Sequence, residues 1–229
     1  MLVLGHQGAS AAHPGNSLAA FQAALDQGAD GVELDVRRTA DGTLALRHDA
    51  HLEDGRALVG LRAGELPDGI TDLATALDLL RPARLVNIEI KNAPWDPDFD
   101  PDLSLAVAVV ELLGRRGQLS DPGIVVSCFH PDTVDRVHAL APDLPTGWLV
   151  YDATDHAPLI EQTAARGHVA FHPNQAFVTP ELVATAHAAG LAVNTWTCDD
   201  PVRLRELRDA GVDAVISNDP AAALAALAS

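Results

Sequence analysis

Glu33 and Asp35 stand two positions apart inside the apolar run GVELDV, and Glu89 and Lys91 two apart inside LVNIEIK. A histidine closes each of two further extended runs, His6 in LVLGH and His48 in LALRH. Residues two apart on a β-strand share a face. Glu33 and Asp35 therefore point one way and Val32, Leu34 and Val36 the other; Asn87, Glu89 and Lys91 likewise separate from Val86, Ile88 and Ile90. Neighbouring carboxylates taken out of water are costly unless compensated. A salt bridge to Arg37, which shares their parity, or to Arg38 is the plain alternative, but one guanidinium does not easily neutralise both. Three carboxylates without Cys or His at ligand spacing make an all-oxygen site, suited to Mg²⁺ or Ca²⁺, with Mn²⁺ as a third candidate, rather than Zn²⁺. Either histidine alone reads as an ordinary satisfied polar residue. Beside three carboxylates and a lysine, the two form a general acid and base around a metal-bound electrophile, a set that fits phosphoryl transfer.

Such a set needs strands that converge at one rim. Eight short apolar runs qualify: residues 2–6, 31–36, 85–90, 123–129, 146–151, 169–173, 191–197 and 213–218. Between them lie helical patterns over 17–28, 71–80, 103–117, 131–140, 157–167, 180–190 and 201–211, several opening at Ser, Asp or Pro and closing at Gly. Alternation of this kind implies a parallel sheet, and eight units imply closure into a (β/α)₈ barrel of the TIM type with its site at the carboxyl ends of the strands. An open doubly wound sheet is the alternative. TADGTLALRHD carries a DG turn between extended runs, so a short hairpin-like insertion follows the second strand. The acidic, Pro-rich NAPWDPDFDPD (92–102) reads as a loop over the barrel mouth.

The bulk numbers agree with one domain spanning residues 1–229: 48% hydrophobic, 4% aromatic, no repeat and no linker. With 15 basic against 32 acidic residues and a formal charge of −17, no basic stripe offers itself to nucleic acid. Cys128 and Cys198 suggest neither a disulfide framework nor a zinc spacing and read as reduced, buried residues. No apolar run approaches the ~18 residues of a membrane span, and no basic leader precedes LVLGHQG, so the expected location is cytoplasmic, without stable membrane association. Oligomeric state is not legible.

HQGAS, HPGNSLAAFQAALDQGADGVELDVRRTADGTLALRHDAHL, NIEIK, VSCF, VNTWTCDDP and GVDAVISNDP, in that order, resemble the glycerophosphodiester phosphodiesterase family of metal-dependent (β/α)₈ barrels. The resemblance implies that Glu33, Asp35 and Glu89 bind the metal, that His6 and His48 exchange protons, and that Lys91 contacts the phosphate. It places Trp196, which shares parity with Asn194 and Cys198, on the pocket wall, where composition alone allows a core aromatic. It further implies release of sn-glycerol 3-phosphate and an alcohol from a small phosphodiester through attack by the neighbouring glycerol hydroxyl and a cyclic intermediate, with His6 as first base and His48 as first acid.

Two positions depart from the family pattern. The Arg that follows the first His is Gln7 here, and the Glu of a Pro-Glu-Asn-Thr segment is Gly15, in PGNS. A charged fork for phosphate is lost with the Arg. One cation and one anion disappear together, which suggests that the two positions interact. The segment after His48, HLEDGRALVGLRAGELPDG, is short, implying a more open site. A non-catalytic phosphate-binding barrel, and a phospholipase-type enzyme releasing a cyclic phosphate, are the competing readings.

Overall fold

The structure is a computed structural model that describes residues 1–151 and 155–228. Among the described residues nine strands form, β1 (Leu2–His6), β2 (Gly31–Arg38), β3 (Leu44–Leu46), β4 (Leu85–Ile90), β5 (Ile124–Cys128), β6 (Thr146–Val150), β7 (Ala170–Pro173), β8 (Ala192–Thr195) and β9 (Ala214–Ser217). All but β3 pair in parallel, and β1 bonds both β9 and β2, so eight strands close into a barrel. The open doubly wound alternative is thereby excluded. Leu44–Leu46 folds back antiparallel on Val36–Arg38 as the expected hairpin, outside the ring.

Among the described residues eight α-helices alternate with the strands: α1 (Leu18–Asp26), α2 (Leu73–Leu79), α3 (Ser104–Arg115), α4 (Pro131–Leu140), α5 (Ala157–Ala165), α6 (Pro180–Ala188), α7 (Pro201–Asp209) and α8 (Pro220–Ala228). The Ser17, Asp72, Thr179 and Asp200 side chains accept backbone N–H groups at four of their starts. Proline in the first turn of α4, α5, α6 and α7 supplies a preset φ where no N–H is needed. The eighth helix, PAAALAALA, is absent from the periodicity reading because it is apolar almost all round and so carries no polar face to mark its turns.

Apolar side chains occupy the layer between barrel and helices: Val32, Leu34, Val36, Ile88 and Ile90 pack with Phe21, Leu73 and Leu77 on one side, and Phe171, Val193 and Val215 with Val183 and Leu204 on the other. Each fully buried Val, Leu or Ile contributes roughly 1.5–3 kcal/mol. Inside the barrel, Leu4, Ala214 and Ile216 with Leu2 and Leu85 fill the amino-terminal end. Toward the carboxyl end the interior turns polar, with Glu33, Asp35, Asn87, Glu89, Ser127, His172 and Asn194 all buried. An apolar plug below and charged groups above is the arrangement that confines chemistry to one rim.

Candidate active site

The β2–β4 register sets Asp35 beside Glu89 and Glu33 beside Asn87. One oxygen from each of Glu33, Asp35 and Glu89 lies within 4.8 Å of the others. All three side chains are buried. Asp35 Oδ2 accepts from Gln7 Nε2 (2.9 Å) and Asn16 Nδ2 (2.8 Å), and Glu33 Oε2 accepts from the Gln7 backbone N–H (3.1 Å). Glu33 Oε1 is buried and has no hydrogen-bond partner among the described residues. Burial, reinforced by the charges of Asp35 and Glu89, holds the Glu33 carboxyl well above the ordinary carboxylate range. Burial also raises Glu89, against the pull of Lys91. An all-oxygen triad with one orphaned oxygen and excess negative charge fits a hard divalent cation.

Lys91 Nζ sits 2.8 Å from Glu89 and 3.5 Å from Asp35. Burial works against its charge, but Glu89 and Asp35 outweigh that and hold its pKa above the usual lysine value. Arg37 does not compensate the triad. It pairs with Asp98 and with Asp96 (3.2 Å) of the acidic loop and donates through Nε to the His48 carbonyl (2.8 Å). The guanidinium thus ties the 92–102 loop to the histidine segment instead of neutralising Glu33 and Asp35.

The two histidines face the triad from opposite sides of the sequence. His6 Nε2 is 3.9 Å from Glu33 Oε2, and His6 Nδ1 is 2.7 Å from Asn218 Oδ1. The amide of Asn218 is itself fixed, because its Nδ2 donates to Asp199 Oδ2 (2.6 Å) and its backbone N–H to Asp199 Oδ1 (2.8 Å). Burial disfavours the Asp199 charge, but hydrogen bonds from Ser217 and Asn218 hold its carboxyl below the usual range. Asn218 Oδ1 can only accept, so neutral His6 carries its proton on Nδ1 and offers a lone pair at Nε2. His48 Nδ1 meets Asp49 Oδ1 at 2.8 Å, and that bond lowers the Asp49 pKa.

A cavity of about 1040 Å³ opens over these groups, lined among others by His6, His48, Glu89 and Lys91 and by the contacting rings of Trp95, Phe129, Trp196 and Tyr151. The acidic loop does lie at the mouth, through Trp95, Asp96 and Pro97. A second cavity of about 590 Å³ lies across Arg47, His48 and Asp49 from the first and is floored by Gln7, Gly15 and Asn16. Gln7 and Asn16 both adopt left-handed φ, 55° and 59°, a conformation disfavoured outside glycine and retained here where both side chains hold Asp35.

The sequence profile of the glycerophosphoryl diester phosphodiesterase family matches residues 6–222. The chain belongs to that family. A glycerophosphodiester phosphodiesterase of Bacillus altitudinis is 27% identical over 95% of this chain and 94% of its own length. One from Caldanaerobacter subterraneus is 30% identical over 96% of the chain and 94% of its own. Among solved structures, the glycerophosphodiester phosphodiesterase of Thermotoga maritima superposes with a TM-score of 0.81 at 27% identity, covering 96% of both chains. A phosphodiesterase of Oleispira antarctica in complex with the product sn-glycerol-3-phosphate does so with 0.88 at 26% identity, covering 100% of this chain and 97% of that one. Within this phosphodiesterase, the six residues His6, Glu33, Asp35, His48, Glu89 and Lys91 converge on one rim, Trp196 lines the main cavity, and Gln7 lies under the smaller one. Composition and parity did not mark Asn16, Asp49, Asp199 or Asn218. Asp49 and Asn218 adjoin residues already singled out, in RHD and ISND, but their pairing with the histidines depends on loop geometry.

Proposed function

We propose that the chain hydrolyses glycerophosphodiesters to sn-glycerol 3-phosphate and an alcohol, with Glu33, Asp35 and Glu89 holding Mg²⁺ or Ca²⁺, with Mn²⁺ as an alternative. The observation that carries this reading is the oxygen triad within 4.8 Å, flanked by two imidazoles whose Nδ1 atoms are both engaged. A divalent cation bound by the triad supplies a Lewis acid for a phosphoryl oxygen. His6 Nε2 takes the proton of the attacking glycerol hydroxyl, a role suited to an imidazole whose Nδ1–H is fixed on the Asn218 amide oxygen. His48, whose Nδ1 is engaged by the Asp49 carboxylate, gives a proton from Nε2 to the leaving alcohol. The roles then exchange as water opens the cyclic intermediate. Lys91 balances the negative charge that grows on the phosphoryl group, Gln7 orders the substrate end of Asp35, and Trp196 bounds the substrate pocket. Residues 1–229 act as one domain.

The substrate is a small phosphodiester; the acidic surface disfavours nucleic acid and anionic membranes, and the site of action is the cytoplasm. No helix among the described residues is long and apolar enough to cross a membrane. The test is hydrolysis of glycerophosphocholine, glycerophosphoethanolamine and glycerophosphoglycerol by metal-free protein and after return of Mg²⁺, Ca²⁺ or Mn²⁺, with glycerol 3-phosphate separated from cyclic phosphate. Metal-restored release of glycerol 3-phosphate supports the proposal. Accumulation of cyclic phosphate assigns the phospholipase-type reaction instead, and tight diester binding without release of either product assigns a binding barrel.

A further inference from the structure

The turn that carries His48 is the least supported part of the site. His6, Glu33, Asp35 and Glu89 stand on barrel strands, whereas His48 follows the end of β3 and its side chain is more than half exposed. Among the described residues its main chain makes one hydrogen bond, accepted by its carbonyl from Arg37 Nε at 2.8 Å. With a single bond, the direction of the ring depends on whatever holds the donor.

That donor is gripped at its other two corners. Arg37 Nη1 donates to Asp98 and Nη2 to Asp96 (3.2 Å), so all three nitrogens of the planar fork are engaged. Asp96 is fixed in turn, because its other oxygen accepts the Ala93 backbone N–H at 2.8 Å. One residue back, the Asn92 amide exchanges hydrogen bonds with the Asp100 main chain and donates to Thr133. The contacts therefore run from the end of β4, which carries Glu89, through Asp96 and Arg37 to His48. Arg37 itself belongs to β2, two residues beyond Asp35. Both strands that supply the triad thus bear on the His48 carbonyl.

Resting on the phosphodiesterase reading, we infer that Asp96 and Asp98 are positioning residues for the general acid: by locking the Arg37 fork, they set where the His48 imidazole meets the ester oxygen as the P–O bond breaks. Holding the acidic loop is not a sufficient reason for the arrangement. Arg38, next in sequence, already anchors that loop, donating to Ser104 at 2.6 Å and reaching Asp100 at 3.7 Å from a side chain that is 36% exposed. Arg37 is only 2% exposed, and burying a guanidinium with two carboxylates carries a desolvation cost that an anchor at the surface avoids. What the buried fork adds, and the Arg38 pair does not, is the bond to His48. A misplacement of about 1 Å can cost about a hundredfold in rate, so stiffness at this carbonyl has catalytic value.

The experiment uses two diesters of glycerol phosphate with the same nucleophile and different leaving groups. The ethanolamine ester needs its alkoxide protonated as it departs, and the p-nitrophenyl ester, which leaves as a phenolate, does not. Release of the alcohol is followed in single turnover by the metal-loaded protein, which isolates the first step. Asp96→Asn with Asp98→Asn is expected to slow release of ethanolamine about ten- to hundredfold and of p-nitrophenol less than about threefold. Arg38→Gln, which loosens the same loop without touching His48, should leave the ratio of the two rates at its wild-type value. Asp96→Asn alone keeps the Asp98 pair and should move the ratio in the same direction by about threefold, which covers a double variant that fails to fold. Equal slowing of both esters, or slowing of neither, overturns the inference. Positioning is also read without turnover: with divalent cations chelated, the His48 ring resonances should shift or broaden in the double variant, or in Asp96→Asn, and stay in place in Arg38→Gln. A wild type that cleaves neither ester while these resonances respond rejects only the phosphodiesterase reading. Resonances unmoved by the aspartate substitutions reject the positioning role whether or not the esters are cleaved.

Discussion

A Cβ placed on Gly15 would lie 2.3 Å from Oε1 of Gln7 and 3.1 Å from its Cβ. The Gln7 amide, which donates to Asp35 at 2.9 Å, therefore occupies the space that any side chain at position 15 would need. The joint departure of these two positions from the family pattern has a steric basis.

Gly15→Ala should accordingly turn the Gln7 amide away from Asp35 and cost about 1.5–3 kcal/mol in transition-state stabilisation, the range for a hydrogen bond to a charged group. In a Gln7→Ala background the same change should cost much less, because the Oε1 clash and the bond are already gone and only the 3.1 Å approach to the Cβ of residue 7 remains. A double-mutant cycle on kcat/KM checks this through non-additivity above about 1 kcal/mol. Gln7→Arg and Gly15→Glu follow the same logic: Arg alone should improve catalysis less than the pair together. Full gain from Gln7→Arg alone would show that the positions are independent.

The His6–Asn218 bond fixes a tautomer, and that role is separable from proton transfer itself. His6→Ala should lower kcat by about 10²–10⁴, the usual worth of a general base. Asn218→Ala leaves His6 free to place its proton on Nε2 and should lower kcat about tenfold or more, with KM little changed. Combined with His6→Ala, it should add nothing. Additive losses would mean that Asn218 contributes to substrate contact and not through the imidazole.

What the sequence made legible was whatever depends on neighbours along one strand. The two-residue spacing of Glu33 with Asp35, and of Glu89 with Lys91, sorted inward from outward side chains without knowledge of the barrel, and the β2–β4 register then brought the two pairs together. Arg37 obeyed the same parity, yet its carboxylates are Asp96 and Asp98, some sixty positions away on a loop that no periodicity locates. Asn218 reaches His6 only because β9 bonds β1 to complete the ring, a closure visible in space and not in local pattern. Of the aromatic residues lining the main cavity, only Trp196 is marked in the sequence; Phe129, Tyr151 and Trp95 lie on separate loops that no local pattern joins.

His172 offers a pH dependence of stability. It is fully buried, its Nε2 accepts from Asn194 at 3.1 Å, and burial pushes its pKa down from 6.5 to about 3. Below pH 6.5 the unfolded chain takes up a proton at this site that the folded chain refuses, so stability is complete above that pH and is lost as pH falls toward 3. Between pH 6.5 and 5 the loss from this group is about 2 kcal/mol, or roughly 4–8 °C in Tm for a chain of this size. His172→Gln should flatten the acid side of the Tm profile by that amount relative to wild type. Parallel profiles for the two proteins would mean that the imidazole is protonated in the native state.

Cation loading should be readable in stability as well as in turnover. Glu33, Asp35 and Glu89 converge only in the folded chain, so a divalent ion binds the native state selectively and stabilises it by mass action. At about a hundred times its Kd, Mg²⁺ or Ca²⁺ should add about 2.7 kcal/mol and raise Tm by roughly 5–10 °C. Glu89→Gln removes one charged oxygen from the triad and frees Lys91 from its 2.8 Å partner, so the metal-dependent rise should fall to a fraction of the wild-type value. His48→Ala provides the contrast, since His48 is turned toward Asp49 and contributes no oxygen to the triad. Its metal-dependent Tm rise should match wild type while its hydrolysis is lost. Calorimetric titration of the three proteins with each cation checks both statements, and an unchanged Tm rise in Glu89→Gln would place the ion elsewhere on the chain.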